Sequence, residues 1–179
     1  MATIETPAWP RITLAWRQRV AAFWLISWPC WVGSFVLVSA LSSGWSLADR
    51  RAYSGILSVS GNLAFLIGEG LLVPRMVRKR YRSFRLAVVR QDGSNSNTLS
   101  PAEIMRVWLR IIWPQVAFLM AVWLLLYFLG ANVNADTTRA VLALFLWGRI
   151  LVVGPFGIYC AVPADYSGFR LEAVGQRFA

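Results

Sequence analysis

The sequence predicts an all-α integral membrane protein whose four transmembrane helices form two parallel-repeat helical hairpins. Both ends are placed in the cytoplasm. Three observations lead there. Hydrophobic residues make up 58% of the 179, and charged residues only 15%, so a water-soluble core of this size could not hide the apolar surface. The charges then divide the chain into long apolar runs. Finally, one segment occurs twice, 85 positions apart.

The apolar runs set the spans. No charge lies between Arg19 and Asp49, and none between Arg110 and Asp136. Between Arg51 and Arg75 there is only Glu69, and between Arg139 and Asp165 only Arg149. Each run offers the roughly 20 residues that carry a helix across about 30 Å of hydrocarbon. Helices are expected near 20–42, 53–74, 108–130 and 139–162. A backbone in lipid must satisfy its own hydrogen bonds, and continuous rather than alternating apolar runs argue against a barrel. The first run is long and carries Trp24, Trp28 and Trp31, so it reads as a retained span rather than a cleaved leader, despite Val38-Ser39-Ala40.

Basic residues set the orientation. Arg11, Arg17 and Arg19 precede the first span. The loop 75–110 carries Arg75, Arg78, Lys79, Arg80, Arg82, Arg85, Arg90, Arg106 and Arg110, and the tail carries Arg170 and Arg177. The opposite loops carry only Arg50, Arg51 and Arg139, offset by Asp49 and Asp136. The positive-inside rule therefore places both termini and the long loop in the cytoplasm. Arg75, Arg78, Lys79, Arg80, Arg82, Arg85, Arg106, Arg110 and Arg170 are candidates to meet anionic lipid headgroups or a protein partner. Base-stacking or groove-reading elements are not identifiable, so nucleic acid is not expected.

The repeat explains the hairpins. Tyr81, Phe84, Arg85, Leu86, Val89 and Gln91 recur as Tyr166, Phe169, Arg170, Leu171, Val174 and Gln176, and Trp28-Pro29 recurs as Trp113-Pro114. The single membrane domain is thus read as one unit at about 11–92 and a second at about 99–177. Gly61-Asn62 matches Gly148-Arg149 at an offset of 87 instead, which implies a small insertion or deletion. A unit of two spans returns to its starting side, so the units must be parallel. Pro29 and Pro114 each remove a helix hydrogen bond, and a kink or break is expected at each. Ser100-Pro101-Ala102-Glu103 has the pattern of a capping box that starts the third helix. Phe84–Val89, ending at Asp92-Gly93, reads as a short strand or an amphipathic lip on the membrane.

Little chemistry is written in the chain. It has no histidine, no Cys/His cluster and no glycine-rich phosphate loop. No metal site, cofactor or enzyme activity is therefore assigned. Cys30 and Cys160 lie in apolar runs and read as buried thiols rather than a disulfide. Three polar groups fall within the spans: Asn62, Glu69 and Arg149. An intramembrane charge costs about 2.5–3.5 kcal/mol on insertion scales, so each needs a partner or a purpose. A Glu69–Arg149 pair would join the two halves or line an ion path.

Trp16-Arg17-Gln18-Arg19-Val20-Ala21-Ala22-Phe23 resembles the start of the first helix in the RDD family of small bacterial membrane proteins. Lys79-Arg80, with Phe84 through Gly93, is similar to that family's basic, strand-like loop, and Leu99-Ser100-Pro101-Ala102 with Arg106 and Arg110 to its next helix start. The resemblance implies a multi-pass inner-membrane protein, and some members are implicated in ion exchange. Ser27 stands where the family's first-helix aspartate would fall.

Two functions are expected. The first is a non-catalytic accessory or assembly subunit that packs into a larger membrane complex, or onto further copies of itself. Small residues such as Gly33, Ser34 and Gly61 and ten tryptophans offer helix-contact surfaces for it. The second is a small ion or solute transporter or channel, working as an oligomer through Glu69, Asn62 and Arg149.

Overall fold

The computed structural model describes residues 11–46, 49, 53–129, 144–145, 147–162 and 164–175. Helix α1 spans Trp16–Ser42, α2 Ser54–Arg78 and α3 Pro101–Leu129. A π-helical turn, Arg149–Val153, leads into α4, Gly154–Ala161. Helix α1 and the Pro101–Val122 part of α3 are long and apolar enough to cross a membrane. The start of the expected fourth span, 139–143, lies outside the described residues. Helices α1 and α3 run unbroken through Pro29 and Pro114.

The start of α3 follows its sequence signal. Glu103 Oε2 accepts the Ser100 backbone N–H at 2.6 Å, and Ser100 Oγ accepts that of Glu103 at 3.4 Å. Helix α1 repeats half of this device. Gln18 Oε1 accepts the Ala15 N–H at 2.8 Å, and alanine has no oxygen with which to return the bond. Ala15 and Gln18 precede Ser100 and Glu103 by the same 85 residues.

The chain is not all-α. The loop and the tail fold together into a four-stranded antiparallel sheet, in the order β2-β1-β4-β3. Its strands are β1 (Phe84–Arg90), β2 (Asn95–Ser96), β3 (Asp165–Tyr166) and β4 (Phe169–Gly175). The sequence leaves Phe84–Val89 open between a short strand and a membrane lip, and the structure makes it a strand whose partner lies across the whole second unit. In β1 apolar Ala87 and Val89 share the outer face with Arg85, which blurs the alternation.

The pairing between β1 and β4 runs from Phe84 opposite Gly175 to Arg90 opposite Phe169. Phe84 and Phe169 are 85 apart, as are Arg90 and Gly175, so exchanging the two strands maps every pair onto another. Ala87 opposite Glu172 is the self-matching pair at the centre. An antiparallel ladder has a local two-fold axis normal to the sheet, and here that axis relates a segment to its own repeat. The flanks follow the same relation, the strand corners directly and the helix lead-ins with a shift of one residue. Arg80 bridges Arg85 as Asp165 pairs with Arg170. Asn95–Ser96, just before α3, lies along β1, while Arg11, just before α1, bridges Val174 of β4.

The sheet caps one end of the helices. Phe84, Leu86 and Leu171 from its inner face join Phe23, Ile26, Met76, Ile111 and Ile158 in one buried core. Residues 11–12 and 173–174 are hydrogen-bonded neighbours, so both described ends lie at this same end of the molecule. The helices approach closely. A Cβ on Gly157 would fall 2.4 Å from the Ile111 carbonyl oxygen, and one on Gly154 would fall 2.2 Å from the Phe23 ring. The helix flanks stay apolar and exposed, with Trp24, Phe35, Leu71, Trp113 and Met120 among the outward residues.

Candidate functional site

Helices α2 and α3 and the π-helical turn each bring one long polar side chain to the bundle interior. Glu69 on α2 is 0% exposed, Gln115 on α3 is 2% and Arg149 at the head of the π turn is 6%. At 1.5 Å per residue, Glu69 lies about 14 Å from the end of α2 and Gln115 about 21 Å from the start of α3. The group therefore sits near mid-height in the bundle.

The two charges do not form a direct ion pair. Gln115 stands between them. Its Nε2 donates to Glu69 Oε2 at 2.9 Å, and its Oε1 accepts from Arg149 Nε at 2.8 Å. The chemistry fixes the amide's orientation, because a guanidinium only donates and a carboxylate accepts. Gln115 Nε2 also reaches the Ile111 carbonyl at 3.4 Å. The Arg149 guanidinium lies 4.0 Å from the centre of the Phe65 ring, a cation–π contact. Glu69 Oε1 and Arg149 Nη2 remain buried without a hydrogen-bond partner. Cys30, the repeat mate of Gln115, donates its thiol to the Ile26 carbonyl at 3.0 Å. Ser27, one turn earlier, is buried with an unpaired hydroxyl.

Asn62, the third intramembrane candidate, is not part of this bridge. It lines a cleft of about 320 Å³ between α1, α2 and the segment around Phe145, and Arg149 lines the same cleft. Gln115 is the residue that sequence reasoning missed. Like Asn62 it is an uncharged amide within an expected span, and nothing in its local sequence sets it beside a charge.

The basic candidates divide by position. Arg75, Arg78, Lys79, Arg80 and Arg82 are exposed at the sheet end of α2 and beyond. Arg106 donates to the Ser167 carbonyl at 2.8 Å, and the Arg110 guanidinium lies 5.6 Å from the centre of the Tyr166 ring. Both thus steady the corner before β4. Arg85 and Arg170 are repeat mates on the outer face of the sheet. With Arg11, Arg90, Asp165 and Glu172 they line a concavity of about 620 Å³. Glu172, at the sheet's centre, pairs with Arg11 at 2.9 Å and with Arg170 at 2.5 Å.

No group of three or more metal-ligating side chains occurs among the described residues. The polar bridge is a chain of hydrogen bonds that holds two opposite charges in place. No family model, curated protein or solved structure matches this chain.

Proposed function

We propose that this protein is a four-span protein of the bacterial inner membrane, with its two helical hairpins parallel and both termini in the cytoplasm. It acts without catalysis or cofactor, as an accessory or assembly subunit within a larger membrane complex. The observation that carries this reading is the closed bridge of Glu69, Gln115 and Arg149. These groups are bonded to one another across three helix segments. A buried ionic group used this way specifies how the hairpins meet. The exposed apolar flanks and the small extramembrane part support a life among lipids and other spanning helices, and the basic sheet end supports contact with anionic lipid. The resemblance to the RDD family supports the same location and rests on the segments quoted above.

The decisive experiment is mass measurement of the intact particle after mild detergent extraction. A particle containing other chains, or several copies of this one, is expected. A lone monomer would overturn the subunit reading.

The unpaired Glu69 Oε1 and Arg149 Nη2 favour a second reading, a small ion carrier or channel working as an oligomer. Arg149→Leu separates the two. A subunit still assembles with its partners, whereas an ion path loses its flux in reconstituted vesicles. Wild-type vesicles with no flux above background would remove the second reading.

A further inference from the structure

The cleft beside the polar bridge has an unusual combination of walls and floor. Trp31, Phe35, Phe65 and Phe145 make it apolar, and it opens on the exposed flank of α1, where Trp31 and Phe35 face outward. Arg149 is the only charged group among its described lining residues. That side chain is more than nine-tenths buried, and its Nη2 has no partner. Ser34, on the same lining, also has a buried hydroxyl without a partner. An acyl chain alone would satisfy neither. Leaving a buried donor unmade is costly, and more so when it is charged. Arg149 also opens the π-helical turn, a feature found frequently at functional sites.

We propose that this cleft binds a single-chain amphiphile with a carboxylate head, the acid received by the Arg149 guanidinium and the chain lying between Trp31, Phe35 and Phe145. A volume of about 320 Å³ is at the lower end of the range for small-molecule sites. The unpartnered Nη2 donor matches one carboxylate oxygen through a charge-assisted bond. A phosphate ester carries close to two charges and three strong acceptors, more than this lining can answer. A two-chain phospholipid keeps its head at the bilayer surface, well away from a cation near mid-height. The site stands whichever assembly the chain belongs to.

The test uses the purified full-length protein in detergent micelles and 9,10-dibromostearic acid, whose bromines quench nearby tryptophan. Saturable quenching is expected, with the larger part lost in Trp31→Phe. Dodecanoate should compete at least about tenfold better than its methyl ester, the least effect expected for one charge-assisted hydrogen bond. Ser34→Leu, which fills the cleft and leaves the polar bridge intact, should weaken the acid about as much. Arg149→Gln should abolish the preference for acid over ester. If that variant does not fold, the ester comparison and Ser34→Leu still decide. Equal competition by acid and ester would overturn the proposal, leaving only an apolar groove for lipid tails. Unchanged quenching in Trp31→Phe or Ser34→Leu would place the acid elsewhere, and stronger competition by dodecyl phosphate would replace carboxylate with phosphate.

Discussion

Gln115 holds Glu69 and Arg149 by opposite ends of one amide, so it decides whether two buried charges have partners. Replacing it by leucine preserves volume and removes both bonds. Hydrogen bonds between spanning helices average only about 0.6 kcal/mol, because the unfolded chain in a membrane also finds partners. Stranding charged groups in a closed interior costs more, about 3–5 kcal/mol in soluble proteins. The second effect should win, and we expect Gln115→Leu to lower stability by about 2 kcal/mol in denaturing-detergent titrations of the micellar protein. A change under about 0.5 kcal/mol would mean that the charges find other partners, such as water. The sequence pointed to Glu69 and Arg149 because charges in apolar runs are conspicuous. It did not point to Gln115, since an amide becomes important only once the fold sets it between two charges.

The recurring Tyr-x-x-Phe element makes the same corner twice. Tyr81 stacks on Phe84 with ring centres 4.3 Å apart, and Tyr166 on Phe169 at 4.6 Å. Each tyrosine hydroxyl reaches back five residues to a carbonyl at a helix end: Tyr81 to Met76 at 3.4 Å, Tyr166 to Ala161 at 2.9 Å. The corner turns a helix end into the first residue of a long strand and seats that residue's ring in the core. The shorter bond should matter more. Tyr166→Phe is expected to cost about 1 kcal/mol and Tyr81→Phe less, measured by the same titration. Burial pushes the Tyr166 phenol up to about 12 from an ordinary value of 10.0, with the Arg110 charge opposing. A folded pKa above the unfolded one means that the native state binds more protons between them. The Tyr166 contribution is therefore constant below pH 10 and declines as pH rises toward 12. In Tyr166→Phe that part of the alkaline decline should disappear. Burial also raises the Tyr81 phenol, so a residual decline is expected there.

At the scale of the molecule, the sheet joins the two halves. β1 and β4 pair across the units, and the lead-in to each first helix lies along the other unit's long strand. Sidedness follows if the helices cross a bilayer with the sheet end in the cytoplasm. With Cys30 and Cys160 replaced by serine, a cysteine at Ser43 should react with an impermeant maleimide on intact spheroplasts. One at Ser94 should react only after lysis. Reaction of both, or of neither, on intact cells would contradict the twin-hairpin topology.

The sequence by itself determined the long apolar helices, the capped start of α3, the asymmetry of basic residues and the 85-residue repeat. All of these are local patterns, or a chain compared with itself. Tertiary structure alone decided that the repeated segments are strands that pair with each other, and that Gln115 rather than contact joins Glu69 to Arg149. It also decided that Asn62 belongs to a cleft and not to that bridge. The physical reason is separation along the chain. A strand's hydrogen bonds and a buried charge's partner are supplied by residues tens of positions away, and only packing of the helices brings them within reach.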